Sequence, residues 1–449
     1  MKNLFLKKIL FGLLLSFLIL IFSCEKEDDK IFLYLGKTDL DFGYDNNSIN
    51  LSINNLSGKS IEWTASSKDD FISLSNNSGS LEPNSFEQIF VNVKRSELTG
   101  DSISSEITFN SSIGKSVTIE VFILNYPENK IRLDYKIKNA EYDKVNNRLF
   151  LIPYNENYIE IFNVGEETFE RIDLQVFSYN NIYDIEVSSD GNYLAVLGYD
   201  YFYHIDVEKK DVVFQCDFDE QIESFVYGPN NKVYSFPYYW NSKMYCVDLI
   251  SHQISIFDID TDRTNAKLHP SRKYIYGIND YNTLLKIDIQ TEKPEQCYSE
   301  YIFNIGYYLW IPGDGKKIIT SRKKLLHINP DVSGYDVNEI IDLDIQGYNY
   351  IYHVEYNAEK NEYYIIPSNN QNNADNTGLY VYNSDLNFVR NIELEPFFFT
   401  NEDNNYFQVA AKALFAFSFA SGQKLIVLTQ PQSSSYSQTS AIEIILFKQ

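Results

Sequence analysis

The chain has 449 residues, 44% hydrophobic and 22% charged, enough for two or three domains with ordinary cores. Its formal net charge of −24 repels phosphate backbones, which excludes nucleic acid as a partner and disfavours binding through charge to an anionic membrane surface. The apolar runs are short and rich in Ile, Val, Tyr and Phe, with 36 Tyr and 31 Phe in all, a composition suited to strands.

Lys2, Lys7 and Lys8 precede an apolar run from Ile9 to Phe22, the order of a signal peptide. That run of about 14 residues falls short of the roughly 20 that a membrane-spanning helix needs. It ends Leu20-Ile21-Phe22-Ser23-Cys24, which resembles a bacterial lipobox. The resemblance implies removal of residues 1–23 and a lipid anchor at Cys24. The following Glu25-Lys26-Glu27-Asp28-Asp29, within a tether of residues 24–30, is similar to the export signal of surface lipoproteins of the Bacteroidota. It implies an outer-membrane protein facing the exterior.

Residues 31–126 alternate in short runs, as in Ser48-Ile49-Asn50-Leu51-Ser52-Ile53 and Phe90-Val91-Asn92-Val93, between Asn, Ser and Gly turns. This is the pattern of an Ig-like β-sandwich. Ile61-Glu62-Trp63-Thr64-Ala65-Ser66, Phe71 through Pro83, Val91 through Gly100 and Glu106-Ile107-Thr108-Phe109 resemble the BACON domain of Bacteroidota surface proteins. That family implies carbohydrate binding through an exposed aromatic. Phe71 replaces the Trp often found there, which favours a spacer.

Residues 130–449 carry a repeat. Ile159-Glu160-Ile161-Phe162-Asn163, Phe202-Tyr203-His204-Ile205-Asp206, Met244-Tyr245-Cys246-Val247-Asp248, Leu284-Leu285-Lys286-Ile287-Asp288, Leu325-Leu326-His327-Ile328-Asn329 and Leu379-Tyr380-Val381-Tyr382-Asn383 are variants of one strand. Anchors at Leu149, Leu194, Val233, Tyr274, Ile318, Tyr363 and Leu425 lie 45, 39, 41, 44, 45 and 62 residues apart. A period near 40 to 45 predicts a seven-bladed β-propeller of four-stranded units. Turns such as Ser189-Asp190-Gly191-Asn192, Pro229-Asn230-Asn231, Pro312-Gly313-Asp314-Gly315 and Ala420-Ser421-Gly422 join strands a and b. The repeated motif is then strand c, and its closing Asp or Asn is expected to bond the backbone of the c–d turn. The seventh unit supplies three strands, and the alternating Ile131–Ile137 is expected to complete it and seal the ring. The repeat resembles YVTN-type and WD-repeat-like propellers, without the Trp-Asp and Gly-His pairs of true WD repeats. All-β architecture, a sandwich followed by a propeller, is the predicted fold.

In such blades the b–c and d–a connections share one face, which here is rich in Tyr, Trp and Asn. Aromatic surfaces with polar tips beside amide groups suit sugars and extended peptides. The candidate ligand-binding residues on this face are Tyr199, Tyr201, Tyr239, Trp240, Tyr281, Arg322, Tyr348 and Tyr350. The expected ligand is a glycan or a surface protein, met by a monomer.

Other patterns carry less. Cys216, Cys246 and Cys297 match no metal-binding spacing; at least one must be a free thiol, and a Cys216–Cys246 disulfide stays open. Asp258-Ile259-Asp260-Thr261-Asp262 lacks the Gly and Glu of a calcium loop and reads as an acidic d–a connection. His204 and His327 occupy equivalent places in different blades, so they form no metal pair. No nucleophile elbow, P-loop or Ser-His-Asp order is present, and no charged cluster that would line a propeller channel is visible. The chain is therefore expected to need no cofactor or metal and to be a binding protein without catalytic residues.

Overall fold

The computed structural model describes residues 32–447, apart from 45, 99–101, 126–128, 175–181, 199–200, 240–241, 346, 371–377, 401–405, 420, 434 and 436–437. The signal peptide, the tether with Cys24, and the site candidates Tyr199 and Trp240 lie outside the described residues. The chain divides into two compact units, one running to Glu128 and including Phe398–Gln408, the other comprising Asn129–Phe397 and Val409–Gln449.

The first unit holds two main sheets, and its segment Phe398–Gln408 supplies most of a two-stranded one formed by Phe397–Thr400 and Tyr406–Val409. Leu33–Leu35, Ser48–Asn55, Phe86–Val93 and Ile72–Leu74 make one; Asp39–Asp41, Val117–Leu124, Ser102–Ser111, Ile61–Ser67 and Ser78–Leu81 make the other. Period-two alternation sends Leu51, Ile53, Ile89 and Val91 from the first sheet, and Trp63, Ile107, Phe109 and Val121 from the second, into one buried cluster. Phe71 packs against that cluster.

The second unit holds seven four-stranded antiparallel sheets. Six are consecutive in sequence, beginning with Ile137–Asp143, Arg148–Pro153, Tyr158–Asn163 and Thr168–Asp173, and each predicted anchor lies in the second strand of its sheet. The seventh sheet joins Ala411–Ser418, Lys424–Pro431 and Ser440–Leu446 to Lys130–Leu133 from the other end of the unit. The clasp is thus real but shorter than expected. It ends at Leu133, and Ile137 already opens the first blade, its N–H donating to Ser440 Oγ at 3.1 Å.

Seven buried apolar clusters stitch the ring, each drawn from two successive sheets. Leu149, Leu151 and Phe162 of the first blade meet Leu414, Ile426, Leu428 and Ile442 of the seventh, which closes the circle. Phe150, Ile161, Leu194 and Ile205 do the same between the first and second. The a–b turns bind neighbouring blades together. Gly191, at φ 74°, is where a side chain would collide with Asp143 and Asn146, and its carbonyl accepts from Arg148 at 2.5 Å. Gly315 likewise accepts from His269 Nε2 at 2.8 Å and Gly422 from Asn357 at 3.0 Å.

The strand-c motif behaves as frame. Asp206, Asp248, Asp288 and Asn383 accept backbone N–H groups of the following turn at 2.8–3.0 Å. The variable position within the motif faces the next blade and is matched to its local partner there. His204 meets the Tyr227 hydroxyl at 3.1 Å, with burial lowering its pKa to about 4, while Lys286 meets Asp336 at 2.9 Å. The acidic Asp258-to-Asp262 run differs from expectation: Asp258 and Asp260 belong to strand Gln253–Asp260, and both pair with Lys243. Cys216, Cys246 and Cys297 are free thiols, and burial pushes the first two up to about 12 and 11.

Candidate functional site: a polar cleft on one propeller face

The b–c and d–a connections of the fourth to sixth blades enclose a cleft of about 460 Å³ lined by Asn304, Arg322, Lys323, Asp342, Leu343, Asn349, Tyr350 and Asn369. A smaller hollow of about 180 Å³, with Asp280, Asn282, Gly306 and Tyr307, shares Asn304 and Arg322 with it. Arg322 is held by its surroundings. Its guanidinium lies 4.3 Å from the centre of the Tyr350 ring, and its stem passes Gly306, where a Cβ would come within 2.9 Å of Arg322 Cγ. Gly306 adopts φ 95°, a conformation that glycine takes readily, and the following N–H groups of Tyr307 and Tyr308 donate to Ser321 Oγ at 3.0 and 3.2 Å.

The carboxylates of this region are occupied. Asp342 pairs with Lys324 at 2.6 Å and Asp280 with Arg263 at 2.7 Å, while Lys323 donates to the Tyr348 carbonyl at 2.7 Å. Exposed rings stand beside the lining residues in the chain: Tyr281 between Asp280 and Asn282, and Tyr301 and Phe303 just before Asn304, the last 76% exposed.

Of the sequence candidates, the structure brings Arg322 and Tyr350 together and leaves Tyr281 exposed at the hollow. Tyr348 packs edge-on against Tyr380 at 5.9 Å and is partly buried. Tyr239 is exposed and stands edge-on to Tyr238, whose hydroxyl accepts from Arg263 at 2.6 Å. Tyr201 is not an open platform: its ring lies over Gly198, where an added Cβ would fall 1.9 Å from the ring, so it packs at a strand end. Sequence reasoning missed Tyr301 and Phe303, and singled out none of the asparagines that line the cleft. In the first unit, the outer side of one sheet exposes Tyr34, Phe86 and Phe90, a row that a search centred on Phe71 overlooks.

On the opposite face a cleft of about 450 Å³ is lined by Asn146, Arg148, Asn192, Tyr193, Asp206 and Glu208. Its chief charged groups are already committed to the frame, Arg148 to Asp143 at 2.8 Å and Asp206 to Lys209 at 2.5 Å.

A charged cluster does line the ring's interior, contrary to expectation. The first strands of neighbouring blades lie side by side, and they place Glu141, Asp184, Glu186 and Lys267 within electrostatic reach of one another, with His353 in reach of Lys267. Burial, reinforced by repulsion from Glu186, pushes the Glu141 carboxyl up to about 8, and burial pushes Glu186 up to about 7. Burial alone would lower Lys267, but attraction to Asp184, Glu186 and Glu141 outweighs it and holds the ammonium above its ordinary value. Glu186 accepts the Tyr227 N–H at 2.6 Å and Asp184 accepts from Asn139 at 2.8 Å, so both acids tie blades together.

Between pH 4.5 and 8 the folded chain therefore binds more protons at Glu141 and Glu186 than the unfolded chain, and their contribution to stability is lost as pH rises. Melting curves from pH 5 to pH 8 should show Glu141→Gln melting about 2 °C above the parent at pH 8, with the gap closing near pH 5. A gap independent of pH would contradict the assignment.

No protein-family model matches the chain, and no curated protein matches it. Similar solved structures include the β-propeller domain of Cps50 (Swd1) from Myceliophteria thermophila, 12% identical with a TM-score of 0.53, over 72% of this chain and 99% of that one. A chain of the mitotic checkpoint complex is 13% identical with a TM-score of 0.52, over 72% of this chain and 92% of its own length. At such identities the likeness speaks to fold alone, and it agrees with the ring of seven sheets: the aligned part of this chain is a β-propeller.

Proposed function

We propose that this chain is a lipid-anchored protein of the bacterial outer-membrane surface whose propeller face captures a glycan or glycoprotein. The observation that carries the reading is the cleft around Arg322 and Tyr350, where amides, a stacked guanidinium and neighbouring exposed rings offer the mixture of flat apolar and directional polar surface that sugars use. The lipobox-like Cys24 and the acidic tether supply the address. The two-sheet unit, read as an Ig-like BACON-type sandwich, acts as a spacer. The chain works as a monomer and binds rather than catalyses, the interior acids Asp184 and Glu186 serving to tie blades together.

A glycan array probed with the soluble chain tests this. The combined Tyr281→Ala and Tyr350→Ala variant should lose on the order of tenfold in affinity or more, given the stacking surface removed. Unchanged binding would remove the face from consideration. A protein-binding scaffold is the second reading, favoured by the similarity to a chain of the mitotic checkpoint complex, a protein assembly by its name. A stoichiometric protein recovered from envelope extracts, with a blank array, would favour it.

A further inference from the structure

We infer that the ligand of the Arg322 cleft is acidic, an oligosaccharide bearing a uronate carboxylate or a sulfate ester whose oxygens meet the Arg322 guanidinium. This deepens the glycan reading and rests on it. The chain has eight arginines, and seven of them are engaged with acceptors in the fold. Arg148, Arg171, Arg263 and Arg390 pair with Asp143, Asp173, Asp280 and Glu362 at 2.5–3.0 Å, and Arg132 lies 3.9 Å from Asp134. Arg95 and Arg272 donate to backbone carbonyls.

Arg322 is the exception. Among the described residues it has no carboxylate, carbonyl or hydroxyl acceptor, and its one contact of note is the Tyr350 ring at 4.3 Å. A chain with a net charge of −24 has 62 acidic side chains with which to neutralise a cation, yet the nearest acids of the two hollows are taken by Lys324 and Arg263. Contact with the Tyr350 ring restrains the guanidinium and leaves its fork of N–H groups unspent, in a cleft that it shares with Lys323 and the side chains of Asn304, Asn349 and Asn369. A planar fork prepaid in this way suits a two-oxygen acceptor, to which it can donate in parallel, while the asparagines suit the neighbouring hydroxyls.

The smaller hollow extends the same chemistry. Arg322 and Asn304 line both spaces, so one acidic group can sit on the guanidinium with sugar units on either side, Asn349 and Asn369 toward one and Asn282 toward the other. Exposed Tyr281, Tyr301 and Phe303 belong to the segments that line the smaller space and supply rings for stacking.

The test is binding of the soluble chain, the parent beside Arg322→Gln and Arg322→Lys, to three immobilised sets: polyuronate oligosaccharides, sulfated neutral oligosaccharides, and neutral oligosaccharides. Melting temperature serves as the check that each variant is folded. The inference expects binding to at least one acidic set, lost by 10- to 100-fold in Arg322→Gln and only partly kept in Arg322→Lys, which retains charge but not the fork. Preference for the polyuronate set would identify a carboxylate, and preference for the sulfated set a sulfate ester. Binding confined to neutral oligosaccharides, or acidic binding that Arg322→Gln leaves unchanged, would overturn the acidic assignment and leave the glycan reading standing. A blank result on all three sets would overturn both.

Discussion

Asp336→Ala is expected to destabilise the propeller by about 3–5 kcal/mol, the largest effect of any single substitution considered. Asp336 is 1% exposed and sits on the connection leading into strand Val337–Asp342 of the fifth blade. Its Oδ2 accepts from Lys286 Nζ at 2.9 Å and from the Tyr276 hydroxyl at 2.5 Å, and its Oδ1 accepts from the Tyr298 hydroxyl at 2.8 Å. Lys286, in strand c of the fourth blade and fully buried, spends its other two donors on the carbonyls of Pro330 and Val332 at 2.8 and 2.9 Å. Every polar atom in the cluster is thus matched, and three residues of the fourth blade depend on one carboxylate from the fifth. Alanine strands an ammonium and two hydroxyls away from water, and an unpaired buried charge costs more than the lost pair contributed. The Lys286→Met, Asp336→Ala double variant should recover part of the loss, because it removes the stranded charge. Chemical denaturation checks both, and a cost below about 1 kcal/mol for Asp336→Ala would refute the account of this latch.

Lys130→Met is the second large effect, expected at about 2–4 kcal/mol at pH 8 and smaller at pH 5.5. Lys130 belongs to the clasp strand Lys130–Leu133, which pairs with Ser440–Leu446. Its ammonium lies 3.9 Å from Glu443 Oε2, over the Phe397 ring at 4.0 Å, and donates to the Glu395 carbonyl. Both partners are buried, and burial pushes Lys130 down to about 8 and Glu443 up to about 7, each against the attraction of the other. Removing the lysine takes away that attraction, so the Glu443 carboxyl titrates still higher. At pH 8 the variant must bury an uncompensated carboxylate or protonate it at a cost; at pH 5.5 the carboxyl is neutral in the folded state and little is lost. Denaturation midpoints of parent and variant at the two pH values measure the difference, and an equal cost at both would contradict the pairing.

What the sequence disclosed follows from the range of the interactions. Each blade is a local unit, so the anchors from Leu149 to Leu425 and the turn-bonding acids such as Asp248 and Asp288 could be read from neighbours a few residues away. The clasp was legible because Ile131 and Leu133 alternate in a segment with no local partner. Its end was not, since Tyr135 and Ile137 continue the same alternation while the chain passes from the seventh blade to the first. The interior acids were invisible for a different reason. Asp184-Ile185-Glu186 and Asn265-Ala266-Lys267 look like ordinary half-polar strands, and only closure of the ring turns their polar sides toward one another. Polar residues recurring in the first strand of successive repeats were the available signal. The Lys286–Asp336 latch spans 50 residues and had no local trace.

The face itself was partly readable. Loop positions in the repeat place Arg322 and Tyr350 on the same side, but whether an aromatic stacks, packs or stays open depends on neighbours in other blades. Tyr201 looked equivalent to Tyr281 in sequence, yet one lies across Gly198 and the other is exposed. The distinguishing feature of Arg322, a guanidinium without an acceptor among the described residues, emerges only when every arginine can be paired with its surroundings.

Hydrogen exchange of the chain, free and saturated with the oligosaccharide set that binds it best, tests the location of the site most directly. The account predicts slowed exchange confined to the segments around residues 280–283, 301–308, 321–324, 342–350 and 369–370, with residues 144–147, 190–193 and 206–210 on the opposite face unchanged. Protection centred on that opposite face, or on the exposed row of Tyr34, Phe86 and Phe90, would contradict it.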